Sequence, residues 1–85
     1  MSLHLIFSAA GWQAAQDRIA TDDAVVMLGD GVYVRTMSKA SRPPFVMGED
    51  ARARGLAVPQ EPYSIDYDQL VELCTEHFPV VSWHD

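Results

Sequence analysis

Ser64-Ile65-Asp66-Tyr67-Asp68-Gln69-Leu70-Val71-Glu72-Leu73, followed by Pro79-Val80-Val81-Ser82-Trp83, is the stretch that decides the fold. Tyr63–Ile65 reads as a short strand. Asp66 can accept from the free amides of a helix that starts after it, and Gln69, three residues on, completes a capping box. The helix should end near His77, because Pro79 has no amide proton and its ring blocks a further turn. Val80–Trp83 is then a last strand. A strand, a capped helix and a strand within some twenty residues form one unit of a parallel sheet.

The same alternation holds upstream. Leu3–Phe7 is an apolar run interrupted by His4, suited to a central strand covered on both faces. Ser8-Ala9-Ala10-Gly11 breaks it, and Trp12, Ala15 and Ile19 at helical spacing predict a first helix over Trp12–Ala20. Ala24–Leu28 is a second buried strand. Gly29-Asp30-Gly31 is a sharp turn, Val32–Val34 fits strand or helical turn, and Arg35–Arg42 reads as a loop. Pro43-Pro44 leads into a third strand, Phe45–Met47. Gly48-Glu49-Asp50 opens a short helix whose early acids and late Arg52 and Arg54 match the helix dipole, with Gly55 as its C′ residue. The prediction is one α/β domain over residues 1–85: three layers, α/β/α, around a mainly parallel sheet of about five strands. Leu5, Phe7, Val25, Met27, Val46 and Val81 belong in or against its core.

Composition narrows the function. At 85 residues and 48% hydrophobic, the chain has a real but thin core, and a partner subunit is the expected source of further stability. Six Lys and Arg against twelve Asp and Glu give a net charge of −6, which argues against direct nucleic-acid binding. A single cysteine excludes an internal disulfide. No secretory signal or membrane-spanning run is visible, so a cytoplasmic location is expected.

In open parallel sheets, ligands bind beyond the carboxyl ends of the strands. That edge would carry Ser8, Asp30, Glu49, Asp50, Asp66, Tyr67 and His84. Each has a plain structural role to hand: Asp66 as a cap, Glu49 and Asp50 as dipole partners, Asp30 in a turn. Gly29-x-Gly31 lacks the third glycine of a dinucleotide fingerprint and the Lys-Ser or Lys-Thr of a P-loop. Cys74 lies deep in the last helix, on a stripe with Tyr67, Leu70, Val71 and Phe78 that points to the core, and Glu72 and Glu76 beside it disfavour a thiolate. Cys74-x-x-His77 could be half a metal site, but His4 and His84 sit at the chain ends with no ligand-like spacing. His4, in an apolar strand, reads as a hydrogen-bonded core residue. The residues define a small α/β protein without a catalytic constellation, a metal or a cofactor.

A family resemblance goes further. Leu3-His4, Leu28-x-Asp30-Gly31-Val32, Glu49-Asp50-x-x-Ala53-Arg54-Gly55, Ile65-Asp66-Tyr67 leading into Leu70-Val71-x-Leu73, and the terminal Trp83 resemble the TusB/DsrH proteins. The resemblance covers nearly the whole chain, which is shorter than its relatives between Val34 and Phe45. It implies the DsrE-like fold and a subunit of a TusBCD/DsrEFH-like sulfur-relay complex. The expected partners are TusC/TusD-like or DsrE/DsrF-like homologues and, through the complex, sulfur-carrier proteins. In one branch the sulfur ends in 2-thiouridine at the tRNA wobble position; in the other the system serves dissimilatory sulfur oxidation. The principal sulfur-carrying cysteine lies in a different subunit. Some DsrH proteins carry one in the first helix, where this chain has none, so no catalytic residue carries over. Two classes remain: a non-catalytic subunit, or a sulfur carrier using Cys74. Trp12, Tyr33, Phe78 and Trp83 are the candidate interface anchors, aromatics being enriched at interface hot spots. A hetero-oligomer is expected, or a homo-oligomer when the chain is purified alone.

Overall fold

A computed structural model describes residues 2–20, 22–37, 44–60, 63–77 and 79–84. Strands β1 (Leu3–Ile6), β2 (Ala24–Met27), β3 (Phe45–Met47), β4 (Ser64–Ile65) and β5 (Val80–Trp83) form one sheet in the order β4-β3-β2-β1-β5. Every pairing is parallel. Helices α1 (Ala9–Ala15), α2 (Gly48–Ala53) and α3 (Tyr67–Glu76) connect them, with 3-10 segments at Gln16–Arg18 and Gly29–Met37. The expected α/β/α architecture is present, with the sheet wholly parallel.

The strand order dictates which helix lies on which face. From β1 the chain steps through β2 and β3 to β4 in one direction. It then returns across the sheet to β5 on the far side of β1. Crossovers between parallel strands are right-handed, so reversing direction moves the connecting helix to the opposite face. One face therefore carries α1, packed with Ile6, Val25 and Met27, and α2, whose Ala51 packs with Val46. The other face carries α3. Leu70, Leu73 and Cys74 of α3 pack on Leu3, Leu5, Val26, Met47 and Ile65. Period-two alternation along β1–β3 sends neighbouring residues to these two cores. Of the expected core residues, Leu5, Val25, Met27 and Val46 are buried, and Phe7 and Val81 are half-buried.

Three local readings change. The first helix spans Ala9–Ala15 rather than Trp12–Ala20, because Ser8 caps it by accepting from the Gly11 amide at 3.0 Å. It ends early because the Ala20 amide donates to Asp23 Oδ2 at 2.9 Å instead of continuing the helix. The segment from Gly29 runs as a 3-10 helix to Met37, so Arg35–Met37 is not loop; the rest of the expected loop, through Arg42, lies outside the described residues. The stripe on α3 is rotated from its predicted orientation. Leu73 takes an inward position, while Tyr67 and Val71 are 54% and 61% exposed. A single polar-flanked helix over five strands presents only its 70/73/74 ridge to the sheet, and α3 has no fully buried residue.

The cap of α3 is as predicted. Asp66 Oδ1 accepts from the Gln69 amide at 2.8 Å, and Gln69 Oε1 accepts from the Asp66 amide at 2.9 Å. Asp66→Ala should cost about 1 kcal/mol and lower Tm by roughly 4–8 °C, leaving the far-ultraviolet spectrum of the folded protein unchanged. A thermal melt within error of wild type would show that α3 is held by packing alone.

Candidate functional site

Connections leave β3 toward one face and β4 toward the other, so the carboxyl ends of these two strands flank the topological switch point. A cleft of about 230 Å³ lies there, lined by Gly48, Glu49, Arg52, Ser64, Asp66 and Gln69, with Ile65 at its base. Two of its polar side chains, Asp66 and Gln69, are committed to each other in the capping box.

Of the remaining carboxyl-edge residues, Asp30, Asp50, Ser8 and His84 are tied to structure. Asp50 Oδ2 accepts from the Gly29 amide at 2.8 Å, clamping α2 to the turn after β2. Arg54 Nε donates to Asp30 Oδ1 at 3.1 Å, and its Nη1 donates to the Asp50 carbonyl at 3.1 Å. Glu49 is exposed in the first turn of α2. The Ser8 hydroxyl donates to the His84 carbonyl, and the His84 ring stacks on Phe7 with centroids 4.4 Å apart. The structure thus brings Asp30 and Asp50 together through Arg54, and Ser8 with His84. It forms no nucleophile–base pair from them.

Cys74 belongs to the opposite end of the molecule. α3 starts at the carboxyl end of β4 and returns to the amino end of β5, so its last turn lies beside the amino ends of the strands. There the thiol is half-buried against the core cluster that includes Leu3 and Leu5. His77 bonds the Leu73 carbonyl through Nδ1 at 3.1 Å. Among the described residues, no group of three His, Cys, Asp or Glu side chains is placed to hold a metal. No helix among them is long and apolar enough to cross a membrane.

The interface candidates separate. Trp12 is 4% exposed, packed beneath α1 with Ile6 and Met27. Tyr33 is 55% exposed. Trp83 is half-buried and donates its indole N–H to His4 Nδ1 at 3.0 Å. Phe78 lies outside the described residues.

That last bond opens onto a network that the sequence did not disclose. An indole nitrogen only donates, so Nδ1 of His4 is an acceptor and its proton sits on Nε2. Nε2 donates to Asp23 Oδ2 at 2.9 Å. The same oxygen accepts from the Ala20 amide, and Oδ1 accepts from the Ser2 amide at 2.8 Å. Burial alone would push the Asp23 carboxyl up; the Ala20 and Ser2 amides and His4 outweigh it and lower it from 3.8 to about 2. The network joins β1, the approach to β2 and the end of β5. A partner for His4 was expected. Asp23 could have been suspected as an acid directly before a buried strand, but nothing in the spacing singles it out from Asp22.

The fold is that of a three-layer α/β/α protein with a wholly parallel sheet. The family model described as DsrH-like protein matches residues 7–80, and the chain belongs to that family. No curated protein matches the chain. The family is one of sulfur-relay subunits, which usually work in a complex with relay partners.

Proposed function

We propose that the chain is a non-catalytic subunit of a TusBCD/DsrEFH-like complex, one domain over residues 1–85, that supports persulfide transfer toward 2-thiouridine at the tRNA wobble position in the cytoplasm. Its homologous partners would be TusC/TusD-like subunits. The observation that carries this reading is the family match over residues 7–80, on a chain whose one thiol packs against the core. A DsrE/DsrF-like pair and a role in sulfur oxidation form the alternative; the genes beside this one distinguish the two. The carrier alternative rests on Cys74 being half-buried rather than sealed.

The test is persulfide transfer through the reconstituted complex. Cys74→Ser should transfer at the wild-type rate, and mass spectrometry during turnover should find no persulfide on this subunit. A serine here can bond a carbonyl of its own helix, as Thr75 Oγ1 does to Glu72 at 2.7 Å. The stability cost should therefore be about 1 kcal/mol, and rates are compared where both proteins are folded. A persulfide on Cys74, or loss of transfer in folded Cys74→Ser, would make this subunit a sulfur carrier.

A further inference from the structure

We infer that the strip between α3 and β5 docks a helix of a partner subunit, one whose apolar stripe is bordered by Lys and Arg. The inference rests on the reading of the chain as a subunit of a relay complex, and names the surface and chemistry of one contact.

Five strands spaced about 4.8 Å apart span roughly 19 Å between outer axes, whereas a helix with its side chains is about 10–12 Å across. One helix cannot cover such a face. The face shared by Leu3, Leu5, Val26 and Met47 carries α3 alone among the described elements. The position of α3 on it can be read from its flanks. Gln69, Glu72 and Glu76 line a groove of about 200 Å³ with Phe45 and Ile65, so that flank faces β3 and β4. At 100° per residue, Tyr67 and Val71 occupy the opposite flank, toward β1 and β5.

There they meet an open edge. Val80 is paired in register with Leu3, so it points to the same face, and it is 40% exposed. β5 is an edge strand. Tyr67, Val71 and Val80 are thus exposed apolar side chains on the side of the sheet that ends in an unpaired edge.

Charge selects the occupant. All six Lys and Arg lie in residues 1–54, where six carboxylates balance them. Residues 55–85 hold the other six carboxylates and no Lys or Arg, so the net charge of −6 resides entirely in the segment that builds α3 and β5. Asp68, three residues before Val71 and so beside it on α3, is exposed. A second copy using the same strip would set acid against acid. A helix rimmed with Lys and Arg meets opposite charge on one side and apolar surface beneath.

The test is affinity for the TusC/TusD-like or DsrE/DsrF-like subunits of the same genome, measured by titration at several salt concentrations. Val71→Asp, at an exposed position, should leave the isolated chain folded with an unchanged melt and weaken association about tenfold or more. Asp68→Lys should weaken it several-fold and flatten its salt dependence. Gln13→Asp on α1 should change nothing. Wild-type affinity in the α3 variants would overturn the docking surface while the relay reading stands. Absence of any complex with either pair would overturn both. Self-association abolished by Val71→Asp would make a second copy the occupant and overturn the partner helix.

Discussion

Asp23→Asn should destabilise the protein by about 2–3 kcal/mol, a fall in Tm of roughly 10–20 °C for a chain of this size, although the substitution is nearly isosteric. Four donors converge on three acceptor atoms: the Ser2, Ala20, His4 and Trp83 N–H groups on the two Asp23 oxygens and His4 Nδ1. Asparagine replaces one acceptor oxygen with a donor NH2. Placed at Oδ1 it faces the Ser2 amide; placed at Oδ2 it faces both Ala20 and His4. Moving the imidazole proton to Nδ1 would free Nε2 to accept, but it would then oppose the Trp83 indole. No arrangement satisfies every group, and the His4 and Asp23 side chains are 5% and 8% exposed, so water offers little relief. Asp22→Asn, at the exposed neighbour, is the control and should melt as wild type. Equal stability of the two variants would show that the network does not hold β1, β2 and β5 together.

The same carboxylate sets the acid limit. Its value is about 2 in the folded chain against 3.8 as the ordinary value. A depressed carboxylate contributes its stability in full above the unfolded value and loses it as pH falls through the folded one. The wild type should therefore lose on the order of 1–2 kcal/mol from this group between about pH 4 and pH 2. Asp23→Asn should lack that part of the acid limb, so the two stabilities approach each other as pH falls. A constant gap from pH 6 to pH 2 would remove Asp23 as its source.

What could be read in advance followed the range of the interactions. The α3 cap, the bounds of β5 and the left-handed Gly55, with φ +71°, depend on residues within three or four positions of one another. Sequence spacing encodes such contacts directly. The failures are contacts across the sheet. Asp23 lies 19 residues from His4, and Trp83 lies 79 from it. Asp23 also takes the Ala20 amide and ends the first helical stretch early. The α3 stripe misled for a related reason. Tyr67, Leu70, Val71 and Cys74 lie within one broad arc of the helix. How far that arc is rotated onto the sheet depends on where a lone helix rests over five strands, which only the strand order reveals. The carboxyl-edge acids were legible one by one as cap or dipole partners. Their linkage through Arg54 needed the fold.

Gly31→Ala should be strongly damaging, costing about 3 kcal/mol. A Cβ built there collides with the Ile6 carbonyl oxygen and lies 2.7 Å from its carbon and 3.3 Å from the Phe7 nitrogen. All three are backbone atoms at the carboxyl end of β1, so no rotamer change makes room. Moving Ile6 is costly in turn, because its carbonyl accepts from the Leu28 amide at 3.1 Å and so fixes the end of β2. The 3-10 segment would have to lift away, and Val32 and Val34, both buried, would lift with it. Gly55→Ala separates this steric demand from a conformational one. Gly55 has a left-handed backbone but nothing within 4 Å of the added carbon, so alanine there should cost only about 1 kcal/mol. Urea melts of the two variants decide the matter. If Gly31→Ala is the milder of the two, the 3-10 segment does not rest on β1. If it is the more severe, Gly29-x-Gly31, which in sequence resembles a fragment of a phosphate loop, is explained by backbone packing alone. The second glycine is then required because the chain turns directly over the strand it has just paired with.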